Sequence, residues 1–220
     1  MNSELKKRII TSFFLIILAV LMFSYIYILI ISLIIIGIIT WIEFYSLISK
    51  IYKSKNVKER ILRFFFKSIS LVYIFLLVMS IITVVALRPD IKFFLFFSLL
   101  ISVASDIGGL TFGKIFKGKK LSKISPNKTI AGSIGSFIFS LLLIPMLQNS
   151  INIPFSSSLI LITLLISFTS QLGDLLISYL KRKAKVKDTS DLLPGHGGIL
   201  DRIDGIIFAI PVGLILFSFI

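Results

Sequence analysis

The chain is a succession of apolar runs, most of them close to the roughly 20 residues a helix needs to cross a bilayer, separated by short basic segments. With 56% hydrophobic residues and a mean hydropathy of +1.03, too few polar side chains remain to coat a soluble globule, so lipid is the main solvent. Lipid offers no partners for backbone N–H and C=O groups, which favours helices that satisfy their own. Runs near residues 8–23, 25–47, 67–87, 91–113, 130–147, 155–180 and 203–220 predict an all-α fold. The expected architecture is a polytopic membrane helical bundle of about seven transmembrane helices, a single integral membrane domain over 1–220. The first two runs form one stretch too long for a single tilted helix, with a break expected near Phe23-Ser24. No small-residue cleavage site follows the first run, which argues for a retained membrane segment over a removable signal peptide.

The basic residues give an independent reading of topology. Three precede the first run, seven lie over Lys50–Lys67, six over Lys114–Lys128 and six over Lys181–Arg202, so 22 of the 24 fall on alternate connections. The positive-inside rule then makes the N-terminus cytoplasmic and, with an odd number of spans, the C-terminus external. A net charge of +14 in a soluble chain would suggest nucleic acid. Here the charges sit in short loops between membrane runs, where they set orientation and bind phosphates or anionic lipid heads, and no nucleic-acid partner is expected. The absence of cysteine excludes disulfides, thiolate zinc sites and thiol nucleophiles.

A carboxylate inside an apolar run costs a few kcal/mol and is usually there for a reason. Ser167, Ser170, Gln171, Asp174, Ser178 and Lys181 recur at three- and four-residue steps, drawing a polar stripe along one helix. Ser98, Ser102, Ser105, Asp106, Gly109 and Gly113 make a second. Such helices either pack around a hydrated cleft or are glued by close approach and interhelical hydrogen bonds. Glu43, beside Trp41 at the cytoplasmic end of the second run, reads as an ordinary snorkelling charge and is assigned no role.

Two connections combine charge with turn chemistry. Ser125-Pro126-Asn127-Lys128-Thr129 stands directly before a helix, where hydroxyls, a lysine and free N–H groups suit a polyphosphate, although topology alone would also put lysines there. Further on, Lys181, Arg182, Lys187 and Asp188 precede Pro194-Gly195-His196-Gly197-Gly198 and Asp201-Arg202-Ile203-Asp204. At the start of the last helix, Asp201 and Asp204 are spaced to share a face and so a metal ion or metal pair. Gly197 and Gly198 allow backbone to come close to a ligand, and His196 reads as a ligand, a phosphate donor or a loop residue holding its own backbone.

The set Ser178, Lys181-Arg182, Lys187-Asp188, His196-Gly197-Gly198-Ile199 and Asp201-Arg202-Ile203-Asp204 resembles the C-terminal signature of the phosphatidate cytidylyltransferases, the CDP-diacylglycerol synthases. The likeness extends upstream through Gln171-Leu172-Gly173-Asp174 and, more loosely, Asp106, Gly113 and Ser125-Pro126…Lys128-Thr129, so residues 98–205 carry the motifs. Ala131, Ile177 and Gly109-Leu110 depart from the family pattern. The resemblance implies cytidylyl transfer from CTP to phosphatidate with release of pyrophosphate, using Mg2+ and optionally a second cation such as K+. It further implies a homodimeric enzyme of a bacterial-type inner membrane with its site on the cytoplasmic side. On that footing Asp188, Asp201, Asp204, Lys181 and Arg182 are the expected catalytic residues, with Asp174, Asp188, Asp201 and Asp204 holding metal. Lys187, Ser125, Lys128, Thr129, Ser178, His196, Gly197, Gly198 and Arg202 are the expected substrate contacts.

The chemistry is self-consistent, since a phosphate monoester is largely dianionic at neutral pH and needs no strong base to become a nucleophile. A related CTP-dependent enzyme acting on an isoprenoid lipid or alcohol is the nearer alternative. A transporter is the more distant one, because no repeat symmetry relates the two halves.

Overall fold

A computed structural model describes residues 3–54, 56–88, 91–122, 125, 128–151 and 156–219. The chain is all-α: α1 (Ser3–Ser24), α2 (Ile26–Ile51), α3 (Val57–Leu87), α4 (Lys92–Phe116), α5 (Ile130–Leu141), α6 (Ile144–Ile151), α7 (Ser157–Lys183), α8 (Leu200–Ile203) and α9 (Ile206–Phe217). Extended pairing among the described residues is confined to two isolated bridges, Lys120 with Thr129 and Leu193 with Gly197. Helices α2, α3, α4 and α7 are long and apolar enough to cross a membrane, while the apolar stretches Ile9–Met22, Ile130–Met146 and Ile206–Phe217 are shorter.

The described parts of the expected runs lie largely on helix, the fifth being broken by a turn at Leu142-Leu143 between α5 and α6, with three further differences at the ends. Tyr25 is the non-helical residue that separates α1 from α2, next to the expected break. Four of the seven basic residues assigned to the Lys50–Lys67 connection, Lys58, Arg60, Arg63 and Lys67, ride on α3 itself, because the helix starts at Val57. The last run is split by a turn at Asp204-Gly205, so α8 stops at Ile203 and Asp201 and Asp204 do not lie on one unbroken helix as their spacing predicted.

The described chain forms two compact units, Met1–Pro89 with Leu180–Ile203, and Asp90–Tyr179 with Asp204–Ile220. In the first, α2 packs on α3 around Leu47, Ile48, Ile74, Leu77 and Ile81, all buried. Gly37 is the close-approach point, since a Cβ there would stand 2.7 Å from Val78 Cγ2. At one end of this pair the Lys67 ammonium lies 3.3 Å from the centre of the Tyr45 ring, and Tyr52 stacks on Phe66.

In the second unit, α4 and α5 touch backbone to backbone. A Cβ on Gly135 would stand 2.7 Å from the Gly108 carbonyl oxygen and closer still to Phe112. The serine stripes bind helices to one another: Ser136 Oγ donates to the Ser105 carbonyl at 2.7 Å, Ser102 and Ser170 hydroxyls pair at 2.7 Å, and Ser167 donates to Ser105 at 3.0 Å. In hydrocarbon, where apolar burial gives helices no reason to associate, close packing and such hydrogen bonds are what holds them. An apolar cluster of Phe97, Ile101, Leu159, Ile162, Ile166, Ala209 and Phe217 completes this unit.

The α4–α5 contact should therefore be intolerant of one methyl group. Gly135→Ala is expected to destabilise the detergent-solubilised protein by roughly 2 kcal/mol, seen as a lower melting temperature. Gly113→Ala, whose Cβ would meet nothing nearer than Thr129 Oγ1 at 3.4 Å, should leave melting unchanged or slightly raised. Equal tolerance at both positions would contradict the backbone contact.

Candidate functional site

The signature of the first unit begins where α7 ends. Lys185 adopts a left-handed backbone (φ 58°) as the Val186 N–H donates to the Lys181 carbonyl and the Lys185 N–H to that of Arg182. This Schellman pattern stops the helix and turns the chain into the loop that leads to α8. A side-chain-bearing residue in that conformation costs about 1 kcal/mol, so the surrounding contacts must hold it.

Beyond that turn, two carboxylates order the loop. Asp201 on α8, its side chain 5% exposed, accepts from Lys181 Nζ at 2.7 Å through one oxygen. Its other oxygen accepts from the Thr189 amide at 2.8 Å, the Thr189 hydroxyl at 2.9 Å and the Gly198 amide at 2.9 Å. Burial works against the charge, yet the Lys181 hydrogen bond, the two amides and the Lys181 ammonium outweigh it and hold this carboxyl below its ordinary 3.8. The second carboxylate is Glu43 on α2, which is 4% exposed and was expected to be unimportant. It accepts from the Thr189 and Ser190 hydroxyls at 2.9 and 2.5 Å, and from the Ile199 and Leu200 amides at 3.1 and 2.8 Å.

The glycines of the signature face these same groups. Gly197 is left-handed (φ 79°), and a Cβ on it would stand 2.8 Å from Asp201 Oδ2. A Cβ on Gly198 would meet both Glu43 oxygens at 2.5 and 2.6 Å. The Pro194-Gly195 turn is closed by the Leu193 amide on the Gly197 carbonyl and the His196 amide on that of Leu193, both 2.8 Å. The His196 carbonyl receives the Arg202 guanidinium, so Arg202 braces the turn. His196 Nε2 lies 3.4 Å from Ser12 Oγ, while Nδ1 is buried with no hydrogen-bond partner among the described residues. Arg182, Lys187 and Asp188 are exposed around this framework.

In the second unit, Lys128 forms an ion pair with Asp174, and Ser178 donates to the other oxygen of that carboxylate at 3.3 Å. Asp106 on α4 lies within electrostatic reach of both Asp174 and Lys128. Thr129 caps α5 by accepting from the Gly132 amide at 3.0 Å, and Ser125 accepts the Lys128 amide on its carbonyl at 3.1 Å. Pro126 and Asn127 of that connection lie outside the described residues. Gln171 accepts from Ser133 at 2.5 Å, and its amide nitrogen is buried without a partner among the described residues. Asp204 accepts from the Gly205 amide at 3.0 Å.

Sequence spacing thus named residues that the structure brings together as Lys181 with Asp201, Arg202 with His196, and Lys128 with Asp174 and Ser178. It missed Glu43, Thr189 and Ser190. The available signal was Glu43 itself, an acid close to the end of a membrane-length helix. Its donors lie 146 to 157 residues away, beyond any local pattern. Among the described residues no group of three or more His, Cys, Asp or Glu is arranged to hold a metal ion.

Removing the Asp201 charge should loosen the loop. Asp201→Asn is expected to cost about 3 kcal/mol at pH 7, because Lys181 is left half-buried without its counter-charge. Amide exchange at Thr189 and Gly198 should accelerate. A depressed carboxyl stabilises above its ordinary value of 3.8 and loses that contribution as pH falls through the lower folded value. Wild type should therefore lose more stability across that acid window than the Asn variant; equal acid sensitivity would contradict the assignment.

A model of the cytidylyltransferase family matches residues 2–220. Phosphatidate cytidylyltransferase of Bacillus subtilis is 42% identical over 120 residues, 54% of this chain and 45% of that protein. Enzymes of the same name from Staphylococcus saprophyticus (41% over 128 residues; 57% and 49%) and Staphylococcus haemolyticus (42% over 132; 58% and 50%) are similar. The chain spans about half the length of the curated relatives it matches. A family match over residues 2–220 decides the point: this chain belongs to the cytidylyltransferase family.

Proposed function

We propose that the chain transfers a cytidylyl group from CTP to phosphatidate, yielding CDP-diacylglycerol and pyrophosphate at the cytoplasmic membrane face. The observation that carries this reading is the family match over residues 2–220, together with relatives bearing that name. The distribution of basic residues supports the cytoplasmic assignment.

The chemistry asks little of protein nucleophiles. A non-bridging oxygen of the lipid phosphate attacks the α-phosphorus of CTP, the bond from that phosphorus to the β-bridging oxygen breaks, and pyrophosphate departs with its electron pair. No proton need be removed from a monoester that is already largely dianionic. The obstacle is repulsion between polyanions, which positioned cations relieve. We assign this role to Lys128 in the second unit and, in the first, to Lys187 and Arg182, with Lys181 divided between phosphate and Asp201.

The carboxylates expected to hold Mg2+ differ in fitness. Asp201 accepts from Lys181 and two backbone amides and shares the Thr189 hydroxyl with Glu43, so we read it as an ordering group. Asp174, with Asp106 in reach, offers hard oxygens of the kind Mg2+ takes alongside substrate phosphates without an all-protein cage. Asp188 and Asp204 remain candidates of the same chemistry. Bound there, Mg2+ would screen triphosphate charge and polarise the α-phosphoryl group.

Purified protein given labelled CTP, Mg2+ and vesicles holding phosphatidate, an isoprenyl phosphate or an isoprenoid alcohol should label phosphatidate selectively. Preferential labelling of an isoprenoid lipid, or no labelled lipid at all, would overturn the assignment. Asp174→Asn and Lys128→Ala are each expected to lower turnover by about 100-fold or more. Because no covalent enzyme intermediate is invoked, exchange of labelled pyrophosphate into CTP should be negligible without lipid; rapid lipid-free exchange would refute direct attack.

A further inference from the structure

We propose that Glu43 is a positioning residue for the reaction, holding the 189–200 loop through Thr189 in register with Asp201 and Lys181. This inference rests on the cytidylyl-transfer reading for its kinetic consequence, though not for its structural one.

A carboxylate buried to 4% exposure is tolerated only when its charge is satisfied, and among the described residues no Lys, Arg or His makes an ion pair with Glu43. Its charge is instead met by two hydroxyls and two backbone amides, all from the segment Thr189–Leu200. Charge-assisted hydrogen bonds of this kind are about twice as strong as neutral ones. Three such donors, with the Thr189 hydroxyl shared between two acids, arrive from one loop and fix both its position and its orientation on α2.

Thr189 ties this anchor to the signature. Its hydroxyl lies 2.9 Å from Glu43 Oε2 and 2.9 Å from Asp201 Oδ2, while its amide donates to Asp201. A hydroxyl carries one proton and ionised carboxylates only accept, so that proton serves either acid at the expense of the other. The two carboxylates are thereby coupled through one side chain that is 3% exposed. Asp201 in turn holds Lys181, and Gly198 has no room for a Cβ against Glu43. Losing the Glu43 charge leaves the Ile199 and Leu200 amides short of an acceptor and shifts the loop that bears Lys187, Asp188 and His196.

The test uses the full chain in lipid nanodiscs, comparing wild type with Glu43→Gln, Thr189→Val, Thr189→Ser, the Glu43→Gln/Thr189→Val double variant, and, as control, Glu59→Gln in the first turn of α3, where the carboxylate accepts only the Ser54 amide among the described residues. Two readouts are taken: amide exchange at Ile199 and Leu200, and kcat and KM for CTP per folded molecule. Glu43→Gln should speed exchange at those two amides about tenfold or more and lower kcat about 100-fold with KM changed less than about threefold. Thr189→Val should act in the same direction, and the double variant should be little worse than the poorer single, because both act through one loop. Thr189→Ser, which keeps the hydroxyl, and Glu59→Gln should resemble wild type. If Glu43→Gln leaves exchange at Ile199 and Leu200 unchanged, or leaves kcat per folded molecule within about twofold of an active wild type, the proposal is overturned. If wild type itself transfers no cytidylyl group, the functional reading fails, and the exchange result alone decides whether Glu43 positions the loop.

Discussion

The constraint on which the first unit depends is the need of an irregular loop for acceptors. Between α7 and α8 the chain has no helix to satisfy its N–H groups, and a buried unpaired amide costs about 1–3 kcal/mol. Two carboxylates supply what a helix would have supplied: Glu43 takes the amides of Ile199 and Leu200, and Asp201 those of Thr189 and Gly198. The rest of the signature follows from keeping these acids charged and close. Lys181 balances Asp201, Gly197 and Gly198 leave room for the acids, and Arg202 closes the turn on the His196 carbonyl. A loop built in this way is ordered before any substrate arrives, so less ordering is left for binding to accomplish.

The second unit solves a different problem. Its helices carry serines and glycines where a soluble core would carry leucines, and the result is backbone contact between α4 and α5 with hydroxyls bridging α4, α5 and α7. Such packing is rigid and unforgiving. It supports Asp106 on α4 and Asp174 on α7, helices whose mutual spacing is set by the Ser102–Ser170 and Ser105–Ser167 pairs, one to two turns from Asp174. Lys128, at the approach to α5, reaches Asp174 from a connection that is itself pinned by the Thr129 cap.

Hydropathy made the helical class legible, because lipid leaves the backbone so few alternatives. The charged positions of the signature were legible too, but their partners were less so. Asp201 and Asp204 look equivalent by spacing, yet a turn at Asp204-Gly205 ends the helix between them. Thr129 reads as a substrate hydroxyl and serves as a helix cap, since the acceptor need of a helix start is invisible until its first residue is known. Glu43 was the largest omission. Beside Trp41 it looks like an interfacial charge, and only the tertiary fold reveals that four donors, two of them backbone, converge on it. Backbone donors leave no mark in a sequence, which is why acids that serve them are systematically underrated.

On the proposed reading, ordered cations and acids carry the reaction, and the chain has no cysteine to offer as a nucleophile. The proposed reaction is a single in-line displacement at the α-phosphorus of CTP. The most direct measurement is the stereochemical course with CTP made chiral at that phosphorus by one sulfur substitution, read from the configuration of the thio-CDP-lipid product. One displacement predicts inversion. Retention, the mark of two successive displacements through a cytidylyl-enzyme, would contradict the account.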